Sequence, residues 1–379
     1  MRHSAVVVVG GGILGAAVAY ELAKRGQRDV VVLESEPALN RHSTGRSAAY
    51  YIPMYESLAY ASLAKASLPF LKNPPAGFSD RAIFSQDGAL IAAIEGHAAG
   101  IKSEMAQAQS LGIEVRSAGA QEIRELVPVA RSELIEAAAY YPEAGEIDVS
   151  GLAQAYARGA ERLGVKFQLS DRFLGLKLDR EKITGVTSNS GETACEFVVN
   201  AAGAWASEVA SLAGASALPL LVLRRHLLRM RLPQQWSKAN WPFFRCPSLP
   251  LYYKPSGGEL FFSPMDAEAD RPRDCPTDPG RVASAIAALT GHTTLSASTE
   301  SIGAVAGHRV FGKDHGPIVG EDPIQPRFYW AAALGGSGIM AAPAVADVVA
   351  SAIMGQTSPM DTAAIAPARF GITRSALKH

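Results

Sequence analysis

The sequence predicts a mixed α/β chain: a domain on a parallel sheet, interleaved in sequence with an α+β domain built on an antiparallel sheet. Three observations predict it. The stretch "AVVVVGGGILGAAVAYELAKRGQRDVVVLESE" reads as strand, glycine turn, helix and second strand. A buried strand running into a glycine turn returns at "VVNAAGAWA" and at "GPIVGEDPIQPRFYWAAALGGSGIM". Between these stretches lie alternating and proline-punctuated segments such as "RRHLLRMRL" and "LYYKPSGGELFFS", which read as antiparallel strands. The parallel domain is therefore expected from blocks 1–80, 145–215 and 305–379, and the antiparallel domain from 81–144 and 216–304.

The first unit justifies itself residue by residue. Four valines form a strand covered on both faces. Gly10, Gly12 and Gly15 complete G-x-G-x-x-G at its end, and Leu14, Val18 and Leu22 recur at helical spacing until Gly26. The second strand ends in Glu34, 19 residues after Gly15, with Ser35 beside it. One glycine serves the tight turn, one lets backbone approach a pyrophosphate, and one lets the helix pack on the strand. The pyrophosphate belongs on the helix start at Leu14, where free amides and the positive dipole end stabilise it. Glu34 accepts hydrogen bonds from an adenosine ribose and disfavours a 2′-phosphate. This is a Rossmann-like, dinucleotide-binding unit.

The next stretch, "RHSTGRSAAYYIPMY", is too polar for core and too small-sided for an ordinary solvated face. A close, polar ligand against its backbone accounts for that mixture. Further on, "GEIDVSGLAQAYARGAERLGVKF" predicts a helix leading into a strand, and "GLKLDREKITGVTSNSGETACEFVVNAAG" a β-meander returning to a buried strand. The turn at Ala202, Gly203 and Ala204 reads either as a second nucleotide-facing turn or as a plain strand-to-helix turn. The last block ends in a glycine turn at Gly335 to Gly338 and a helix, and its amides also suit a ligand. The interleaving fits a large cofactor lying across the first domain with its reactive end facing the second.

Composition narrows the function classes. The chain has 379 residues, 48% hydrophobic and 19% charged, with Lys+Arg and Asp+Glu both 36 and a formal net charge of zero. No long-range field recruits nucleic acid or an acidic membrane. Cys195, Cys246 and Cys275 lack metal-ligand spacing, so no metal is expected and a reducing compartment is favoured. The apolar N-terminus carries three consecutive glycines that weaken a helix by roughly 1 kcal/mol each. The apolar stretch after Phe328 is broken by Gly335, Gly336, Gly338, Pro343 and Asp347. Both read as buried core of a soluble protein without an integral membrane span.

Taken together, "VVVVGGGILGAAVAYELAKRG…VVVLE", "STGRSAA", "VNAAGAWA" and "GPIVG…LGGSGI" resemble the FAD-dependent D-amino acid oxidase superfamily, which includes glycine oxidase, sarcosine oxidase and D-amino acid dehydrogenases. "HSTGRSAA", "NPPAGF" and "VNAAGAW" resemble its bacterial D-arginine dehydrogenase branch. The resemblance implies a Rossmann-like FAD-binding domain interleaved with an antiparallel-sheet substrate domain. It implies that Ser43, Thr44, Arg46, Ser47, Ala48 and Ala49 line FAD, with Arg46 on a polar edge of the flavin. Phe173 matches a position whose backbone meets the adenine. Gly336, Ser337, Gly338, Ile339 and Met340 match the pyrimidine side of the ring. No cysteine lies in "HRVFGKDHGPIVG", where covalent members attach the flavin, so FAD is expected to be non-covalent.

By the same resemblance Arg225 and Arg309 pair with an amino acid carboxylate, which a planar guanidinium fork fits. Tyr252 also reaches that carboxylate, Tyr55 lies on a lid, and the Gly336 carbonyl accepts from the substrate amine. Neighbours on a strand point oppositely, so only one of Arg224 and Arg225 faces substrate. The branch has a histidine where this chain has Tyr50, and an acid where it has Ala89. Asp87, two residues from Ala89, is expected on the same strand face. An uncharged side chain on the substrate follows. His42, His226 and His308 read as neutral hydrogen-bonding residues.

The activity implied is hydride transfer from Cα of an amino acid, a D-amino acid first, to flavin N5, giving an imino acid that hydrolyses to a 2-keto acid and ammonia. Quinone or O2 is the implied acceptor, and a cytoplasmic monomer or homodimer, or one peripheral to an inner membrane, the implied state. A glycine/sarcosine-type or 2-hydroxy acid oxidoreductase is the second reading, because the arginine clamp serves any α-carboxylate. A flavoprotein subunit of a heteromeric complex is the third.

Overall fold

A computed structural model describes residues 2–236, 240–296 and 299–373. Its centre is a six-stranded sheet in the order Lys166–Gln168, Val30–Leu33, Val6–Val9, Phe197–Asn200, Phe328–Ala332, Ile318–Glu321. The first five strands are parallel and the last is antiparallel. Every residue of Val6–Val9 and Val30–Leu33 is buried, as strands covered on both faces must be.

The two coverings follow the alternation of side chains along a strand. Val6, Val8, Val30 and Val32 pack with the helices Ile13–Lys24, Leu58–Lys72, Val149–Arg162 and Gly338–Ile353. Val7, Val9, Val31 and Leu33 pack on the opposite face with the helix Ala206–Leu212 and the meander Phe173–Asp179, Lys182–Ser188, Gly191–Ala194. The apolar C-terminal stretch is thus the inner strand Phe328–Ala332 and a core helix, and no described helix is long and apolar enough to cross a membrane.

The second sheet is almost wholly antiparallel. Its order is Leu334–Gly335, Ser301–Gly312, Leu220–Arg231, Glu259–Ser263, Leu251–Ser256, Phe243–Cys246, Ala89–Ile94, Ile135–Tyr141, Arg116–Ser117, with Phe243–Cys246 and Ala89–Ile94 parallel. One face packs Leu228, Met230, Phe244, Tyr253 and Phe262 against the helix Pro279–His292. The other carries Ala89, Ile91, Leu227, Phe243 and Tyr252. A boundary at 304/305 falls inside Ser301–Gly312, which pairs with Leu220–Arg231 from Leu220↔Gly312 to Met230↔Ser301. Residues 305–312 therefore extend the antiparallel sheet.

Candidate active site

The glycine turn borders a cavity of about 520 Å³. Gly10 has φ +110°, and a Cβ there would lie 2.5 Å from the Ala201 carbonyl oxygen. A Cβ on Gly15 would lie 1.9 Å from the Gly10 oxygen, so Gly15 serves helix–strand packing and does not itself line the cavity. Gly10, Gly12, Leu14, Glu34 and Ser35 form one part of the wall, Ser43, Thr44 and Ser47 another, and Phe173, Ala202 and Gly203 a third. Gly336, Gly338 and Ile339 complete it.

Glu34 is locked by backbone: Oε2 accepts from Gly11 N–H at 2.7 Å and Oε1 from Glu36 N–H at 2.8 Å. Thr44 Oγ1 accepts from Ile13 N–H at 3.2 Å, tying the short turn Ser43–Arg46 to the helix start. Ser43 Oγ donates to the His308 carbonyl at 2.9 Å, tying it to the second sheet. Two buried polar atoms of lining residues, Asn40 Oδ1 and His42 Nδ1, have no partner among the described residues. His42 also packs on Trp205 at 4.5 Å between ring centroids. A long cleft with a helix start, an acid at the second strand's end, and unpartnered polar atoms fits a dinucleotide.

A second cavity, about 50 Å³, adjoins the first and shares Ser47, Arg309 and Gly336 with it. Ala48, Ala49, Tyr50, Tyr55, Arg225, Tyr252 and Met340 line it, as do Ile52 and Phe243. Register explains the convergence. Arg225 opposes Gly307 and Arg309 opposes Leu223, so alternation sets both guanidinium groups on the face that carries Tyr252 and Phe243. Arg224 turns away and pairs with Glu268 at 2.6 Å. Arg225 and Arg309 are 8% and 7% exposed, and neither has a carboxylate in ion-pair contact among the described residues. Arg225 Nε donates to the Asp266 carbonyl at 2.9 Å, and Arg309 Nη1 to the His308 carbonyl at 3.3 Å. Buried guanidinium groups without a carboxylate in direct contact are costly unless an anion joins them.

Tyr55 reaches across the cavity: a Cβ on Gly336 would meet its hydroxyl at 2.8 Å. Its ring packs on Arg245, whose Cζ lies 4.9 Å from the centroid. Burial pushes the Tyr55 phenol up to about 12, with Glu56 adding and Arg225 and Arg245 opposing, so it remains a donor at neutral pH. Tyr50 donates to the Gly88 carbonyl at 2.6 Å, accepts from Phe243 N–H at 3.3 Å and stacks on Phe243 at 4.8 Å. With its hydroxyl spent, Tyr50 presents only its ring. Behind it Lys254, 2% exposed, pairs with Glu146 at 2.5 Å, and burial lowers its pKa against the pull of that acid.

Several expected residues lie elsewhere. Arg46 lines neither cavity: its Nη1 donates to the Ala306 carbonyl at 2.9 Å and the Cys275 carbonyl at 3.3 Å, and its Nη2 pairs with Asp274. Carbonyls and an acid of neighbouring segments thus hold its guanidinium. Ser337 is buried before the helix Gly338–Ile353 and lines neither cavity, although its Oγ has no partner. Asp87 is not on the strand with Ala89, because Gly88 turns at φ +78° and the strand starts at Ala89. Its carboxylate accepts from Ser85 Oγ at 3.1 Å. Cys275 and His308 converge on Asp270 Oδ2, at 3.6 and 3.3 Å, while Arg273 holds Oδ1 at 2.9 Å. The three ligand-capable atoms lie within 4.8 Å of one another, and these hydrogen bonds account for the grouping.

Asn40, Trp205, Ile52 and Phe243 join the site without having been singled out from sequence, and His42, read there as a neutral hydrogen-bonding residue, lines the first cavity. Asn40 and His42 lie just before "STGR" and carried a polar signal, whereas Phe243 reaches the site through pairing with a distant strand, opposite Ala89.

A family model described as FAD dependent oxidoreductase, DAO, matches residues 5–352. Mitochondrial dimethylglycine dehydrogenase of Rattus norvegicus is 25% identical over 96% of this chain, which spans only 44% of that protein. The chain thus covers less than half the length of that relative. FAD-dependent oxidoreductase domain-containing protein 1 of Bos taurus is 26% identical, over the whole of this chain and 87% of that protein. The crystal structure of L-proline dehydrogenase from P. horikoshii superposes with a TM-score of 0.89 at 24% identity, over 98% of each chain. Glycine oxidase from Geobacillus kaustophilus gives 0.87 at 22% identity, over 97% of this chain and 99% of that one. These two structures share the fold.

Proposed function

The chain belongs to the FAD dependent oxidoreductase family, and we propose that it oxidises the Cα–N bond of a small amino acid with an uncharged side chain, a D-amino acid first. FAD is its cofactor. Its attachment is non-covalent in this reading, since Cys195, Cys246 and Cys275 are buried away from both cavities. The observation that carries the proposal is the junction of the two cavities at Ser47, Arg309 and Gly336. There a cofactor-sized cleft opens onto a pocket holding two buried arginines with no carboxylate in ion-pair contact among the described residues.

In that pocket Arg225 and Arg309 bind the carboxylate, which orients Cα toward the cleft. Tyr252 and the protonated Tyr55 are the further hydroxyls at hand. Tyr50, Phe243 and Ile52 form an apolar wall that excludes water and rejects a charged side chain. FAD held along the first cavity would supply the hydride acceptor when the Cα–H bond breaks and the amine lone pair forms C=N. Water then converts the imino acid to a 2-keto acid and ammonia. No side-chain base is needed where the amine binds neutral.

The pocket's 50 Å³ also favours a second reading, oxidation of glycine, sarcosine or a comparable small amine. Rapid-mixing reduction of the flavin under anaerobic conditions, with D-amino acids, L-amino acids, glycine, sarcosine and 2-hydroxy acids, tests both. D-Ala and similar substrates should bleach it fastest. Reduction by glycine and sarcosine alone would select the second reading, and reduction by hydroxy acids alone would overturn both.

A further inference from the structure

We infer that His226 and Asp266 are positioning residues that keep Arg225 both aimed and unpaired, ready for a substrate carboxylate; this rests on the amino acid reading above. Arg225 and His226 are consecutive on the strand Leu220–Arg231, so their side chains leave opposite faces. Asp266 meets both. Its backbone carbonyl accepts from Arg225 Nε at 2.9 Å. Its Oδ1 accepts from His226 N–H at 2.8 Å and its Oδ2 lies 2.7 Å from His226 Nδ1.

The tautomer follows from the remaining contact. Asp278 N–H donates to His226 Nε2 at 2.9 Å, so Nε2 carries no proton and Nδ1 does. His226 is therefore a neutral donor to Asp266, completely buried, against a carboxylate whose side chain is 6% exposed. Both oxygens of Asp266 are spent on His226. Asp266 consequently offers Arg225 a neutral carbonyl and no ionic partner. The Nε contact stops rotation of the guanidinium plane and leaves its two terminal nitrogens for a bidentate ligand.

The chain adopts a strained residue to achieve this. Met265 has φ +50°, in the left-handed region that bulky residues avoid, and its N–H donates to Ser263 Oγ at 3.2 Å. That turn brings the Asp266 carbonyl toward Arg225 and its carboxylate toward His226. A corner with only a folding role has no need to touch the guanidinium.

The test compares His226→Phe, which keeps the ring and loses both hydrogen bonds, with His226→Asn, whose amide N–H occupies the Nδ1 position. In His226→Phe the Asp266 Oδ2, no longer held by a ring nitrogen, can turn to Arg225 and compete with substrate. Benzoate binding to FAD-loaded enzyme, read from the flavin absorption spectrum, should weaken about 100-fold in His226→Phe. The asparagine variant should stay within about threefold of wild type, and Asp266→Asn in the His226→Phe background should recover part of the loss, because no charge then competes. The preference for an amino acid over its carboxamide, as kcat/KM, should collapse in step, a ratio that general loosening of the fold would leave unchanged. Wild-type benzoate affinity and ratio in folded, FAD-loaded His226→Phe would overturn the inference, as would an asparagine variant no better than phenylalanine. If the wild type binds benzoate yet oxidises no amino acid, the reading of function fails while the benzoate series still decides the role of His226.

Discussion

Replacing Glu34 by Gln separates two jobs that one carboxylate performs. Its oxygens accept from Gly11 N–H at 2.7 Å and Glu36 N–H at 2.8 Å, so both ends of the nucleotide loop are held before any ribose arrives. Charge-assisted hydrogen bonds of this kind contribute roughly 1.5 to 3 kcal/mol each. Glutamine keeps one carbonyl acceptor and turns an NH2 toward the other amide, so one such bond is lost and FAD affinity should fall about 12- to 150-fold. The apoprotein should also melt earlier, because the broken bond belongs to the protein itself. Glu34→Ala should lower both further. Fluorescence titration of apoprotein with FAD, together with thermal unfolding of the same apoprotein, reads the two effects. Weakened FAD binding with an unchanged apoprotein melt would refute the loop-holding role and leave only a contact to ribose. No change in either would remove Glu34 from the site.

Three further outcomes are expected. Arg309→Ala removes one member of a desolvated charge pair, a loss of roughly 2 to 5 kcal/mol or about 30-fold to several thousandfold in kcat/KM, with FAD retained; a drop under threefold would take Arg309 out of substrate binding. Gly336→Ala places a Cβ 2.8 Å from the Tyr55 hydroxyl, so kcat/KM should fall and Tyr55→Phe in the same chain should recover it; a double variant no better than the single would show that the contact is not the cause. Burial pushes the Cys195 thiol up to about 12 and the Cys275 thiol to about 11, so both should resist iodoacetamide at pH 8 until the protein is denatured, as mass spectrometry would report. Rapid native alkylation of either would mean its cover opens.

The parallel sheet was legible because its signals are local. Four valines, three spaced glycines and an acid declare a strand, a turn and a helix within one short run, and the two later strand-to-glycine turns repeat the pattern. The meander from Phe173 to Ala194 was equally plain from its turn residues. What sequence left hidden was set by distant pairing. Arg46 looked like a cofactor ligand until the loop bearing Cys275 and the strand bearing Ala306 arrived from beyond 200 residues away to take its guanidinium. Asp87 and Ala89 seemed to share a face because alternation was extended through Gly88, whose positive φ resets it. Phe243 and Arg245 had no local signal, since it is pairing with distant strands, Phe243 with Ala89 and Arg245 with Tyr252, that puts them beside the site.

The position of Val6–Val9 in its sheet has a consequence during synthesis. Its neighbour Val30–Leu33 is made at once, but Phe197–Asn200 comes much later, and the strand beyond that, Phe328–Ala332, arrives near the end of the chain. At roughly 5 to 20 residues per second, the interval from Val6–Val9 to its second neighbour Phe197–Asn200 is on the order of 10 to 40 s. Over that time the ribosome-bound chain carries a finished glycine loop beside an open, all-valine edge, which is the kind of surface that pairs with other chains. Chaperone occupancy on nascent chains should therefore rise soon after residue 33 leaves the exit tunnel and fall once residue 200 has emerged, and chains truncated between those points should aggregate where the full-length protein does not.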